Sequence, residues 1–145
     1  MQHYRCRRDG KYMLPYKLGR KTAQIFEGPA DTNGLNKLYV VGRGDEFCYV
    51  GVTKRPMAAR IAEHLRSPHG APWDDLVDVD LYVFPLASRN VEYIEGVEAE
   101  LVFLVRKHQG KWPTHQHEIH FRHLIGMPIS RCRKKAESIY RTLAR

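Results

Sequence analysis

Cysteine is scarce in this chain: three residues in 145, Cys6, Cys48 and Cys132, lie far apart. An odd, dispersed set builds neither a disulfide framework nor a cysteine-based zinc site. A reducing, cytoplasmic setting is therefore the expectation. Long apolar runs are missing too. The longest, residues 101–105, falls far short of the ~20 residues a membrane span needs, so no membrane partner is expected. The start, Met1-Gln2-His3-Tyr4-Arg5, is polar and basic with no apolar core behind it, which argues against a signal peptide. Internal repeats and low-complexity tracts are absent. Acidic residues are outnumbered, 16 against 24 Lys and Arg, for a formal charge of +8. The remainder is globular in composition, 43% hydrophobic and 28% charged, and its length fits one domain with one core.

The charge is unevenly placed. Residues 1–21 carry seven basic side chains and one acid, and residues 122–145 again carry seven and one. Each end is +6, which leaves −4 on the segment between them. Arginine dominates the N-terminal end and is interleaved with Tyr4, Tyr12 and Tyr16, a composition suited to tracking phosphates and stacking on bases. Nucleic acid, double-stranded DNA first, is the expected partner.

Residues 1–36 show no clear periodicity and read as a basic, irregular arm with one short strand over 22–27. From Lys37 the pattern sharpens. Residues 38–42 and 47–53 are β-rich runs around a turn at 43–46, a β-hairpin signature in which Arg43-Gly44-Asp45 is only a turn. Pro56 opens a helix that reaches Arg66 and is stopped by Ser67-Pro68-His69-Gly70. A third strand covers 79–85. Asn90 is the N-cap of the longest helix, which runs to Gln109 and stops at Gly110. Gly96 within it is explained by close packing. A terminal basic helix covers 129–143. The order ββαβα plus an extra segment predicts a small α/β sandwich, with a core over 37–110 and a basic extension over 111–145 packed on it.

At about 100° per residue, Ile94, Val97, Leu101, Val102 and Val105 share one stripe of the long helix. Glu98 falls inside that stripe, whereas Glu95 and Glu100 lie at or beyond its margins. A carboxylate facing the core is costly unless a cation or metal receives it. On the preceding helix, Arg60 and His64 stand one turn apart on one shoulder of the buried face. His115, His117, Glu118, His120 and His123 are dense, but their spacing fits no zinc motif, and contact with phosphate is the preferred reading.

The order Lys37-Leu38-Tyr39, then Tyr49-Val50-Gly51, then Arg60-x-x-x-His64, then Glu98 on a later helix resembles the GIY-YIG nuclease family. The resemblance spans roughly residues 37–105, and Tyr49 to His64 is its specific part. Lys37 stands where the family has its first glycine, and Arg60 comes nine residues after Gly51 where eight is commoner. No asparagine follows Glu98, so His115, Gln116 or His117 would have to stand in for the family's late one.

The resemblance implies a central three-stranded sheet with an N-terminal antiparallel hairpin, flanked by helices. It also implies a metal-dependent endonuclease. Glu98 would hold one Mg²⁺ or Mn²⁺ with mostly water ligands, and Arg60 would bind the non-bridging phosphate oxygens. Tyr39 would activate the water, Tyr49 would orient it, and His64 would position Tyr39 or relay its proton. Lys54, Arg55, Arg131, Arg133, Lys134 and Lys135 are the expected DNA contacts, with Lys54 also lending charge to Tyr39. The competing expectation is an idle nucleic-acid-binding module of the same fold.

Overall fold

A computed structural model gives the fold and describes residues 1–17, 24–66, 73–116 and 128–145. Among these residues five strands, β1 (Gln2–Asp9), β2 (Tyr12–Pro15), β3 (Lys37–Arg43), β4 (Glu46–Thr53) and β5 (Asp78–Pro85), form one sheet in the order β2-β1-β5-β3-β4. Every pairing is antiparallel. Among the described residues three α-helices accompany them: α1 (Met57–Arg66), α2 (Val91–Gln109) and α3 (Ile129–Leu143). The protein is a small α/β domain, as expected.

The local signals behave as their chemistry dictates. Gly44, at φ 60°, takes the first central position of the two-residue β3–β4 turn, where a left-handed residue is needed. The Asn90 side chain accepts from the Tyr93 N–H at 3.1 Å and starts α2. Gly110, at φ 73°, ends it, with its N–H donating to the Arg106 carbonyl.

The sheet is wider than the three strands expected, and the correction comes from the N-terminus. Residues 1–36 contain two strands, β1 and β2, instead of an irregular arm. β1 is strongly polar, yet it pairs along β5 in a matched register: His3 opposite Tyr82, Arg5 opposite Asp80, Arg7 opposite Asp78. The His3 and Tyr82 rings stack at 4.5 Å. Arg7 Nε donates to Asp78 at 2.9 Å, and Arg5 lies 3.9 Å from Asp80. Cross-strand charge pairs line one face of this strand. Its other face contributes Cys6 to the core. The short strand expected over 22–27 falls partly outside the described residues, and 24–27 are not in a strand. The helix stop at 67–70 and the His/Arg strip from 117 onward lie outside them as well.

Helices cover both faces. On one, Tyr39, Val41, Leu81 and Val83 of the sheet pack with Met57, Ile61 and Leu65 of α1 and with Trp73. On the other, Leu38, Val40 and Val50 pack with Ile94, Val97, Leu101, Val102 and Val105 of α2, which α3 backs with Cys132, Ala136 and Ile139. No helix among the described residues is long and apolar enough to cross a membrane.

Candidate active site

Tyr39 lies on β3 and points toward α1, where Gly51 faces it from β4. A Cβ on Gly51 would sit 2.6 Å from the Tyr39 hydroxyl oxygen and 2.6 Å from Tyr49 Cε1. Only glycine lets both tyrosine rings lie across this strand pair. The rings stack at 5.8 Å between centroids. From α1, Arg60 Nε donates to the Tyr39 oxygen at 3.1 Å, and His64 Nε2 lies 2.7 Å from that oxygen. Helical spacing therefore delivers Arg60 and His64 to one hydroxyl. The sequence-predicted residues Tyr39, Tyr49, Arg60 and His64 form one cluster.

Burial sets the protonation of this cluster. Tyr39 is fully buried, and burial, followed by the neighbouring Tyr49, holds its pKa well above the ordinary value despite Arg60. Tyr49 is half-buried and is raised as well, by burial and, to a smaller extent, by the Glu98 charge, while Arg60 opposes. Burial and then the Arg60 charge push His64 down to about 3. His64 is thus neutral near pH 7. With Arg60 donating to the Tyr39 oxygen, a neutral His64 in its Nδ1–H tautomer can accept the Tyr39 proton at Nε2.

Glu98 approaches from α2. The helical spacing puts it inside the apolar stripe, and in the structure it is half-buried, flanked by the buried Val97 and Ala99. Burial and then the Glu95 charge raise its carboxyl to about 7, partly offset by Arg60. Among the described residues no hydrogen bond or ion pair reaches it. Glu100, the rival carboxylate, is instead committed to α3: Arg133 Nε donates to its Oε2 at 3.3 Å. The donor chemistry at Glu98 fits a hard divalent cation. A positive ion there relieves both causes of the raised pKa, and a single carboxylate suits a largely hydrated Mg²⁺ or Mn²⁺. No group of three His, Cys, Asp or Glu side chains occurs together among the described residues.

The other expected positions divide. Lys54 is exposed between β4 and α1, and its carbonyl accepts from Gly34 N–H at 2.8 Å. Arg55 is paired with Glu63. Lys37 is fully buried where the family has glycine, and its Nζ donates to the Thr32 and Leu35 carbonyls at 2.6 and 2.9 Å. His115 is not at the cluster: it is buried and bonded through Nε2 to Asp75 at 2.7 Å. Gln116 Oε1 accepts from the Val50 N–H at 3.0 Å, and the His115 N–H donates to the Cys48 carbonyl. Residues 115–116 thus cover the outer edge of β4 and protect an edge that would otherwise be open. His117 lies outside the described residues. On α3, Arg131 sits over the Tyr93 ring at 5.3 Å, Arg133 is held by Glu100, and Lys134 is exposed.

Two residues of the site escaped the sequence reading. Trp73 stacks on His64 at 4.2 Å with the rings 9° apart and meets Tyr49 edge-on at 5.2 Å. It is what buries the imidazole, and no local pattern announces it. Glu63 accepts from Arg60 Nη1 at 3.0 Å while pairing with Arg55. Its i,i+3 spacing from Arg60 was a readable signal. Compared with known proteins, the chain matches no family model, no curated protein and no solved structure.

Proposed function

We propose that the protein is a divalent-metal-dependent endonuclease of the GIY-YIG type, acting on DNA. One observation carries the reading: a buried tyrosine hydroxyl shared by an arginine and a neutral histidine, with a half-buried carboxylate of raised pKa close enough to feel the same arginine. Phosphodiester hydrolysis needs a group to take a proton from water and a cation against the phosphate oxygens.

Arg60 supplies the fork of N–H donors for the non-bridging oxygens. A phosphate on Arg60 also offsets the charge that, with burial, holds His64 near 3, so His64 becomes a better acceptor for the Tyr39 proton once substrate is bound. Tyr39 in turn accepts from the attacking water, and Tyr49, less buried than Tyr39, orients it. Glu98 is the residue that would hold Mg²⁺ or Mn²⁺, which when bound neutralises charge at the phosphate and the departing oxygen. Lys54 and the open face of α3 supply phosphate contacts away from the chemistry.

A second reading, the idle DNA-binding module, is favoured by the complete burial and raised pKa of Tyr39. Incubation of the purified protein with plasmid DNA in Mg²⁺, Mn²⁺ or EDTA separates the two. Metal-dependent nicking that Glu98→Ala abolishes supports the enzyme. Saturable binding without cleavage in any divalent metal supports the module.

A further inference from the structure

Glu63 joins two cations at the mouth of the Tyr39 cluster. Its Oε2 accepts from Arg60 Nη1 at 3.0 Å, and its Oε1 pairs with Arg55. Its side chain is 33% exposed, and those of Arg60 and Arg55 are 30% and 62% exposed, so solvent and ligands reach the pair. Arg60 is also engaged through Nε by Tyr39. A carboxylate held by two guanidinium groups presents the same single negative charge as a phosphodiester and, like its non-bridging oxygens, a pair of acceptor oxygens that guanidinium forks can meet.

We propose that Glu63 is a substrate-mimicking residue: it occupies, in the free protein, the arginine donors that a DNA phosphate takes on binding. The proposal rests on the nuclease reading only for the identity of its ligand. In the free state the bridge orders both arginines and cancels one of their two charges. Binding exchanges the Glu63 carboxylate for phosphate, and Glu63 turns out toward water. A weak or single-point anion cannot compensate for both contacts, so Glu63 selects a ligand that meets Arg55 and Arg60 together. Charge repulsion between Glu63 and the bound phosphate then favours release of the cut strand.

The test is Glu63→Gln, which keeps size and removes charge, beside Glu63→Asp, which keeps charge. Fluorescence anisotropy with duplex DNA in EDTA, across a salt series, reads binding alone. Glu63→Gln is expected to tighten binding about five-fold, the scale of one partly exposed arginine–carboxylate pair. The log K against log salt slope should steepen by up to about 0.9, as for one further net positive charge facing the phosphates. Glu63→Asp should stay within two-fold of the wild type. With Mg²⁺ or Mn²⁺, KM should fall with Glu63→Gln in the same ratio as Kd while kcat changes less than KM.

Equal or weaker binding by Glu63→Gln with an unaltered slope overturns the proposal and assigns Glu63 to holding Arg60 in place. Glu63→Asp binding as tightly as Glu63→Gln also overturns it, because charge is then not the cause. Tighter binding by Glu63→Gln without cleavage by any form keeps Glu63 as a phosphate mimic and removes the nuclease reading. No DNA binding by the wild type overturns both.

Discussion

The two faces of the sheet are both closed by helices, but they bury different things. The face under α2 and α3 is an apolar layer, mostly aliphatic, with Leu38, Val40, Val50, Val97, Leu101, Val102 and Val105, and the Arg133–Glu100 pair ties α3 to α2. The face under α1 buries Tyr39 and half-buries His64 and Arg60 among its apolar groups, and it is closed by one short helix and by Trp73. One layer is built for stability. The other spends burial on polar groups whose protonation it shifts, which is where function concentrates. Glu98 belongs to the helix of the first layer, where burial and then Glu95 raise its carboxyl, and the Arg60 charge of the second layer partly offsets them.

The largest expected contrast sets catalysis against stability. Arg60→Ala should lower single-turnover cleavage by about two to three orders of magnitude, as for loss of a transition-state charge donor, with DNA binding within a few-fold. Glu98→Ala should abolish cleavage and leave Tm unchanged or higher at pH 8, since it removes a half-buried carboxylate that resists ionisation. Leu101→Ala in the opposite layer should do the reverse: about 2–5 kcal/mol lost in denaturant unfolding, with cleavage per folded molecule retained. If Leu101→Ala loses activity and Arg60→Ala loses stability in equal measure, the division between layers fails. Loss of cleavage in Glu100→Ala but not Glu98→Ala would move the metal-holding role to the wrong side of α2.

Gly51→Ala acts on both properties at once. The new Cβ must displace the Tyr39 hydroxyl and the Tyr49 ring, which have little room beside Trp73 and His64. Overpacking of this kind costs about 1–3 kcal/mol. Cleavage should fall well beyond what that destabilisation explains, because the displaced groups are the proposed reactive ones. Wild-type cleavage with an ordinary loss of stability would show that the tyrosine geometry is not critical.

How far the sequence foretold this arrangement depends on whether the signal was local. α2 could be read to its ends because Asn90, the apolar stripe and Gly110 all act within a turn of the residues they affect. The same stripe separated Glu98 from Glu100. β1 could not be read, since its partners Asp78 and Asp80 lie some seventy residues away. The alternation His3-Arg5-Arg7 acquires meaning only against Asp78-Asp80-Tyr82. Trp73 was invisible because its stacking on His64 follows no helical or strand periodicity that the sequence displays.

Acidity offers a finer test of the α1 layer. Glu98 is raised from 4.5 to about 7, so the folded state binds the extra proton and stability falls as pH rises from about 4.5 to 7. His64 is lowered from 6.5 to about 3, so the unfolded state binds the extra proton and stability falls as pH drops from 6.5 toward 3. Each slope is at most about 1.4 kcal/mol per pH unit, and between 4.5 and 6.5 they oppose each other. The wild type should show a nearly flat profile in that window. Glu98→Gln should unmask His64, with stability rising with pH up to 6.5, measured by denaturant unfolding across pH. Millimolar Mn²⁺ should raise the wild-type Tm at pH 8 and leave Glu98→Gln unaffected. A flat profile in Glu98→Gln would mean that His64 is not held neutral.

The smallest effect expected concerns the two basic ends, which are equal in charge but not in what they can offer a ligand. In β1, Arg5 and Arg7 face aspartates across the ladder, and Arg8 Nη1 lies 3.4 Å from Asp74. These cations already have partners, so their contribution to a DNA phosphate is the difference between two ion pairs. On α3, Lys134 is exposed and no acid pairs with it or with Lys135 among the described residues. Equal sequence charge therefore becomes unequal affinity. Lys134→Gln with Lys135→Gln should weaken DNA binding a few-fold and flatten the log K against log salt slope by about 1 to 2, with cleavage of bound DNA unchanged. Removing each pair whole, Arg5→Gln with Asp80→Asn and Arg7→Gln with Asp78→Asn, should leave the slope within error, because each pair is already neutral toward phosphate, while the β1–β5 ladder loses about 0.2–1 kcal/mol per pair. Anisotropy across a salt series compares both variants directly. A steeper loss from the β1 pair than from the α3 pair would place the DNA on the β1 side of the sheet and detach α3 from the binding surface.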